Sequence, residues 1–139
     1  MGMQLTTQFA AGLLEVEVRG EFSLEEAKRT FLETLESVGR HAATKVLFDG
    51  RTLIGEPAVM ERFYYGEFAA AETARAASER RMPRVPRFAY VLERPVLDPK
   101  RFGENVAANR GMIVKAFGDR DEALTWLGAD SVIKRDSKS

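Results

Sequence analysis

Lys45-Val46-Leu47-Phe48-Asp49-Gly50 is the stretch from which the rest of the chain can be read. A short continuous apolar run, closed by an acid and a glycine, suits a strand covered on both faces, as in a parallel sheet. Parallel strands need crossovers, and helical patterns stand on either side. Upstream, Ser23-Leu24-Glu25-Glu26 pairs an N-cap serine with a glutamate three residues on, and Leu24, Ala27, Phe31, Leu35 and Val38 follow at helical spacing until Gly39. Before that helix, Thr6 to Ala10 and Leu13 to Gly20 form two strands joined at Ala11-Gly12. In the second of these, Leu14, Val16 and Val18 alternate with Glu15, Glu17 and Arg19, which gives the strand one solvated face.

Downstream, Glu56-Pro57 opens a second helix, since proline is tolerated in a first turn. It runs through Val59, Met60, Phe63, Tyr64 and Phe68 to about Arg81, with Gly66 as a point of interruption or kink. Pro83 and Pro86 break it, and Phe88 to Leu92 is the next strand. Pro95 and Pro99 bracket a turn before a short helix from Phe102 to Asn109, then a strand over Met112 to Phe117. Asp119 caps a last helix whose apolar face is Ala123, Leu124 and Leu127. The order β-β-α-β-α-β-α-β-α predicts an α/β fold: a mostly parallel sheet with an antiparallel edge strand and helices packed on the sheet. One domain is expected over residues 1–128, with a flexible polar tail over 129–139.

Composition removes whole classes of chemistry. The chain has 139 residues, enough for one domain with its own core. With no cysteine it has no disulfide framework, thiolate metal site or thiol nucleophile. His41 is the single histidine, so a histidine-rich metal centre is excluded. Lysine plus arginine and aspartate plus glutamate number 21 each, so no global basic footprint points to nucleic acid. No stretch approaches the ~18 apolar residues of a membrane span. A soluble, cytoplasmic protein without cofactor or metal is the expectation.

In open parallel sheets ligands bind beyond the carboxyl ends of the strands. The segment leaving the strand at 45–49, from Asp49 through Gly50, Arg51, Thr52, Leu53, Ile54 and Gly55 to Glu56, is therefore the first place to look. Arg51, Thr52 and the start of the next helix suit an anion or a partner, whereas the plainer alternative pairs Arg51 with Asp49 on the surface. Gly50 and Gly55 lack the spacing of a phosphate-binding loop. Of the adjacent Tyr64 and Tyr65, about 100° apart on a helix, one at most belongs to the core. His41 follows a helix end, where a cation suits the dipole, and no catalytic partner lies beside it in sequence. Charge is uneven: seven acids face three bases over Glu15–Glu36, and seven bases face three acids over Glu79–Arg101.

Taken in order, these segments resemble the STAS-type fold, named for sulphate transporters and anti-sigma-factor antagonists. The resemblance is greatest to a family of small, mostly uncharacterised SpoIIAA-like bacterial proteins grouped with STAS and CRAL-TRIO-like domains. It is carried by Lys45 to Arg51, Gly66-Glu67, Phe88 to Val91, Arg101-Phe102, Asn109-Arg110-Gly111, Val114 to Phe117 and Glu122 to Leu127. It implies a non-enzymatic module that binds a protein, a lipid or a nucleotide-like ligand. In anti-sigma-factor antagonists, a serine that follows an aspartate at the start of the corresponding helix is phosphorylated. Here Leu53 to Ala58 holds no Asp-Ser, and the nearest hydroxyl is Thr52.

The expected function is thus a regulatory module, forming a homodimer, that engages a protein partner through the loop after the third strand. The alternative is a carrier of a small apolar or anionic ligand, or of a lipid. The candidate residues are Asp49, Arg51, Thr52 and Glu56, with Phe63, Tyr64 and Phe68 as the wall of an apolar pocket.

Overall fold

The computed structural model describes residues 2–129. Its elements are β1 (Gln4–Ala10), β2 (Leu13–Glu21), α1 (Leu24–His41), β3 (Lys45–Asp49), β4 (Leu53–Ile54), α2 (Val59–Ser78), β5 (Arg87–Val91), α3 (Phe102–Asn109), β6 (Val114–Phe117) and α4 (Arg120–Leu127). The main sheet runs β1-β2-β3-β5-β6, antiparallel at β1/β2 and parallel elsewhere, with β4 added alongside β2.

The apolar run of β3 has neighbours on both faces, as its sequence requires. Val46 and Phe48 turn toward α1, α2 and α3, where they join Leu14, Val16, Val18, Phe31, Phe88 and Tyr90. Leu47 turns the other way, onto Leu124 and Leu127 of α4, with Ala89 and Val91 of β5. Three helices thus cover one face of the sheet and a single short helix the other. Thr30, Thr34 and Thr73 are buried in the larger layer, and each hydroxyl donates to a carbonyl one turn back in its own helix. Ser23 caps α1 by accepting from the Glu26 amide at 3.2 Å, and Asp119 caps α4.

Three expectations change in detail. The loop after β3 contains a strand, β4, that a two-residue segment with no periodicity could not announce. It exists because Leu53 and Ile54 lie beside Gly20 and Glu21 of β2. The second helix begins at Val59 rather than at Glu56-Pro57: the N-cap Ala58 is extended, and its amide is satisfied by the Glu61 carboxylate at 2.8 Å. Gly66 neither interrupts nor kinks α2, which is continuous through it. Of the expected tail, residues 130–139 lie outside the described residues, whereas Ala129 is buried against the α4 layer.

Candidate functional site

The loop leaving β3 is built around Asp49 and Arg51. The Arg51 guanidinium forks onto the Asp49 carboxylate, Nε at 3.0 Å and Nη2 at 2.8 Å, and the Arg51 amide donates to the same group at 3.2 Å. Burial pushes the Asp49 pKa up, but the guanidinium and amide of Arg51 outweigh it, so the carboxyl is held below its ordinary value. The turn is closed by Leu53 N–H donating to Gly50 O, and Gly50 N–H ties it to Val91 of β5. Gly50 is close-packed: a Cβ there would stand 2.9 Å from Leu53 and Leu92. Thr52 and Glu56 are exposed, and among the described residues neither side chain makes a hydrogen bond or ion pair.

Beyond the loop, large apolar side chains stand in water. Ile54 and Val59 are each 66% exposed, Met60 52% and Tyr64 45%. Val59 and Phe63, and likewise Met60 and Tyr64, are one turn apart on α2, so they form one strip. Phe63 continues it, touching Tyr64 at 5.5 Å and stacking on Phe102 of α3 at 6.3 Å between ring centroids, with the Arg110 guanidinium over its ring at 5.6 Å.

Beneath this surface lies an apolar cavity of about 130 Å³ between the carboxyl half of the sheet and α2/α3. Phe48, Tyr90 and Ala116 form its floor, Tyr65, Gly66 and Ala69 one wall, and Leu53, Leu92 and Leu97 its mouth. Phe63, Tyr64 and Phe68 are not part of its lining. Of the two tyrosines it is Tyr65 that turns inward, where its hydroxyl meets that of Tyr90 at 2.5 Å. Burial raises both phenols, in Tyr65 against the opposing effect of the hydrogen bond to Tyr90, so both stay neutral at any physiological pH. The segment over the mouth is strapped by Arg62, whose Nη1 and Nη2 each donate at 2.7 Å, to Val96 O and Pro95 O. Asp98 then accepts from the Phe102 amide at the start of α3.

Sequence reasoning therefore pointed to the loop and the start of α2, set Phe63, Tyr64 and Phe68 around a pocket that they do not line, and left open which of the two tyrosines turns inward. The signal lay in the register: Tyr90 sits two residues after Phe88 in β5, on the same face, and Tyr65 one turn before Ala69. His41 lies at the far end of β3 from Asp49, separated by a five-residue strand of roughly 16 Å. It stacks on Phe9 with ring centroids 4.7 Å apart, so an Asp49–Arg51–His41 constellation does not form. Among the described residues no three acidic or histidine side chains gather as metal ligands, and no helix is long and apolar enough to cross a membrane. In the acidic block Glu26 and Glu33 share Arg29, Glu36 pairs with Arg40 and Glu15 with Arg120, whereas of the seven bases over 79–101 only Arg81 and Arg101 form ion pairs among the described residues, with Glu79 and Glu104.

No curated protein has a sequence matching this chain. Its fold is similar to the crystal structure of an anti-sigma factor antagonist from Mycobacterium paratuberculosis, with a TM-score of 0.56 and 14% identity over 91% of this chain and 94% of that one. It is also similar to an uncharacterised protein with a SpoIIAA-like fold from Shewanella loihica, with a TM-score of 0.51 and 18% identity over the same shares. A SpoIIAA-like family model matches residues 13–128, from the start of β2 to the end of α4. The chain belongs to the SpoIIAA-like family.

Proposed function

We propose that this protein is a non-enzymatic regulatory module that binds a protein partner over the loop 49–56 and the first turns of α2. The observation that carries this is the exposed strip of Val59, Met60 and Tyr64 on α2, together with the exposed Ile54 of β4 in the loop that leads to it. A run of large apolar groups in water marks an interaction surface more often than chance exposure does. The fold shared with an anti-sigma factor antagonist supports the same reading. The Asp49–Arg51 fork holds the loop in one shape, which lowers the ordering cost of binding. A photo-crosslinking residue in place of Val59, in the native host, tests it. One protein species should be captured, and its affinity for purified protein should fall at least tenfold in Ile54→Glu/Met60→Glu. Capture of nothing, or binding indifferent to that double substitution, overturns the reading.

The cavity favours a second reading, a small-ligand site. Its volume is below the roughly 300–1,000 Å³ of sites for drug-sized ligands and close to the ~150 Å³ of an engineered void that takes benzene. It therefore suits a single ring or a short alkyl chain rather than a lipid tail. Native mass spectrometry of the protein as isolated separates the readings. An added mass that is lost on denaturation, and absent in the cavity-filling Ala69→Leu, establishes the ligand; the bare chain mass leaves the protein partner.

A further inference from the structure

The sheet has two edges, and they are guarded differently. At β6 the Ala116 amide donates to the Glu104 carboxylate at 3.0 Å, and Arg101 donates to the Ala116 carbonyl, so side chains from α3 and its N-cap occupy the outward groups of Ala116. That strand is also four residues long and carries Lys115, two further devices that discourage pairing. At the other edge, β1 is seven residues, Gln4-Leu5-Thr6-Thr7-Gln8-Phe9-Ala10, with no charge, proline or glycine, and six of the seven are exposed.

The register settles which of its groups point outward. Ala10 and Leu13 flank a two-residue turn, Ala11-Gly12, in which both residues have positive φ. Such a turn makes Ala10 and Leu13 a hydrogen-bonded pair, and in an antiparallel ladder bonded and non-bonded pairs alternate. Ala10, Gln8, Thr6 and Gln4 therefore bond to β2, whereas Phe9, Thr7 and Leu5 aim their N–H and C=O away from the sheet. The next outward residue, Met3, is capped: its amide donates to Glu26 at 3.1 Å and its carbonyl accepts from Arg29 at 2.6 Å. Among the described residues nothing caps Leu5, Thr7 or Phe9.

We propose that this edge binds a second copy of the chain, β1 against β1 antiparallel, with the two-fold axis at Thr7. The outward residues 5, 7 and 9 are symmetric about position 7, so the two-fold matches every free donor with a free acceptor. Thr7 pairs with Thr7 of the second copy and Leu5 with its Phe9, three bonded pairs carrying six main-chain hydrogen bonds. The side chains agree with this register. Leu5 meets Phe9, whose ring is 36% exposed and already stacked on His41 on one side, and Thr6 meets Gln8 on the opposite face. A strand from an unrelated protein would satisfy the bonds as well. The uncharged, self-matching order of apolar and polar residues about Thr7 is what favours a second copy, because an isologous contact demands self-complementarity. This surface is separate from the loop and helix strip at 49–64.

Sedimentation at about 100 μM, where a micromolar Kd leaves most chains paired, should give twice the chain mass. Thr7→Lys puts two cations face to face, and Thr7→Pro removes one outward donor while sparing every bond to β2. Each should raise the dimer dissociation constant at least tenfold. A cross-link covers the case in which these variants fail to fold. The chain has no cysteine, so Thr7→Cys places one thiol at a bonded pair with Cα atoms ~5.5 Å apart, within disulfide reach. Mild oxidation should convert it to a covalent dimer, while Gln4→Cys, remote from its own symmetry mate, forms no cross-link. A monomeric wild-type protein, a dimer unmoved by both Thr7 substitutions, or equal cross-linking at Gln4 and Thr7 overturns the proposal.

Discussion

Gly66→Ala isolates the close approach of α2 and α3 that roofs the cavity. In an exposed helix interior this substitution stabilises by about 1 kcal/mol, because alanine has the higher helix propensity. Here a Cβ at position 66 would stand 2.5 Å from the carbonyl oxygen of Gly103 and 3.3 Å from Val106 Cβ. The first contact is with backbone in the opening turn of α3, not with a side chain that can swing away, so the helix itself must retreat. Overpacking of this kind costs about 1–3 kcal/mol. The clash therefore outweighs the propensity gain, and the net change is a loss of about 1 kcal/mol, or roughly 3 °C in Tm for a chain of this length. Gly103→Ala is the graded comparison, because its Cβ would stand 3.0 Å from Arg62 O and needs a smaller shift. Urea denaturation and thermal melting of both variants at neutral pH provide the assay. Gly66→Ala should fall below Gly103→Ala with an unchanged m-value. A Gly66→Ala protein that melts above the wild type would show that α3 yields freely, and the reasoning would fail.

Three further outcomes follow from the site and its supports. Tyr65→Phe strands the buried Tyr90 hydroxyl and should cost about 1–3 kcal/mol, whereas Tyr65→Phe/Tyr90→Phe, which removes both partners, should be closer to neutral; a double-mutant cycle by urea denaturation checks the coupling. The folded-state pKa of Asp49 is depressed, so its contribution is present above the ordinary carboxyl value near 4 and is lost as pH falls through the lower folded value. Asp49→Asn should accordingly lower stability at pH 7 and flatten the acid limb of the stability profile below about pH 4, as followed by acid titration of circular dichroism. Ser23→Ala removes the α1 cap and should cost about 1 kcal/mol in chemical denaturation, with no change in oligomeric state.

Local chemistry alone determined a good deal of this protein. The capping serine and its glutamate located the start of α1, the alternation in β2 its solvated face, and the apolar run Val46-Leu47-Phe48 a strand covered on both sides. These are short-range rules, in which the residues that decide an element lie within a few positions of one another. The Asp49–Arg51 pairing is of the same kind, two residues apart and closed by its own backbone, and its surface ion pair is the plainer alternative weighed for it. What escaped was set by partners distant in sequence. β4 is a strand only because Gly20 and Glu21 pass beside it, and Gly66 is required because Gly103 approaches from α3. The inward tyrosine is Tyr65, not Tyr64, because Tyr90 waits across the cavity from the middle of β5. The open edge follows the same logic: seven uncharged residues are visible in the sequence, but which of their amides point outward depends on the register with β2, and whether anything caps them depends on α1. Hydrogen bonding and packing across such separations are decided only when the sheet closes, so the tertiary structure alone could assign them.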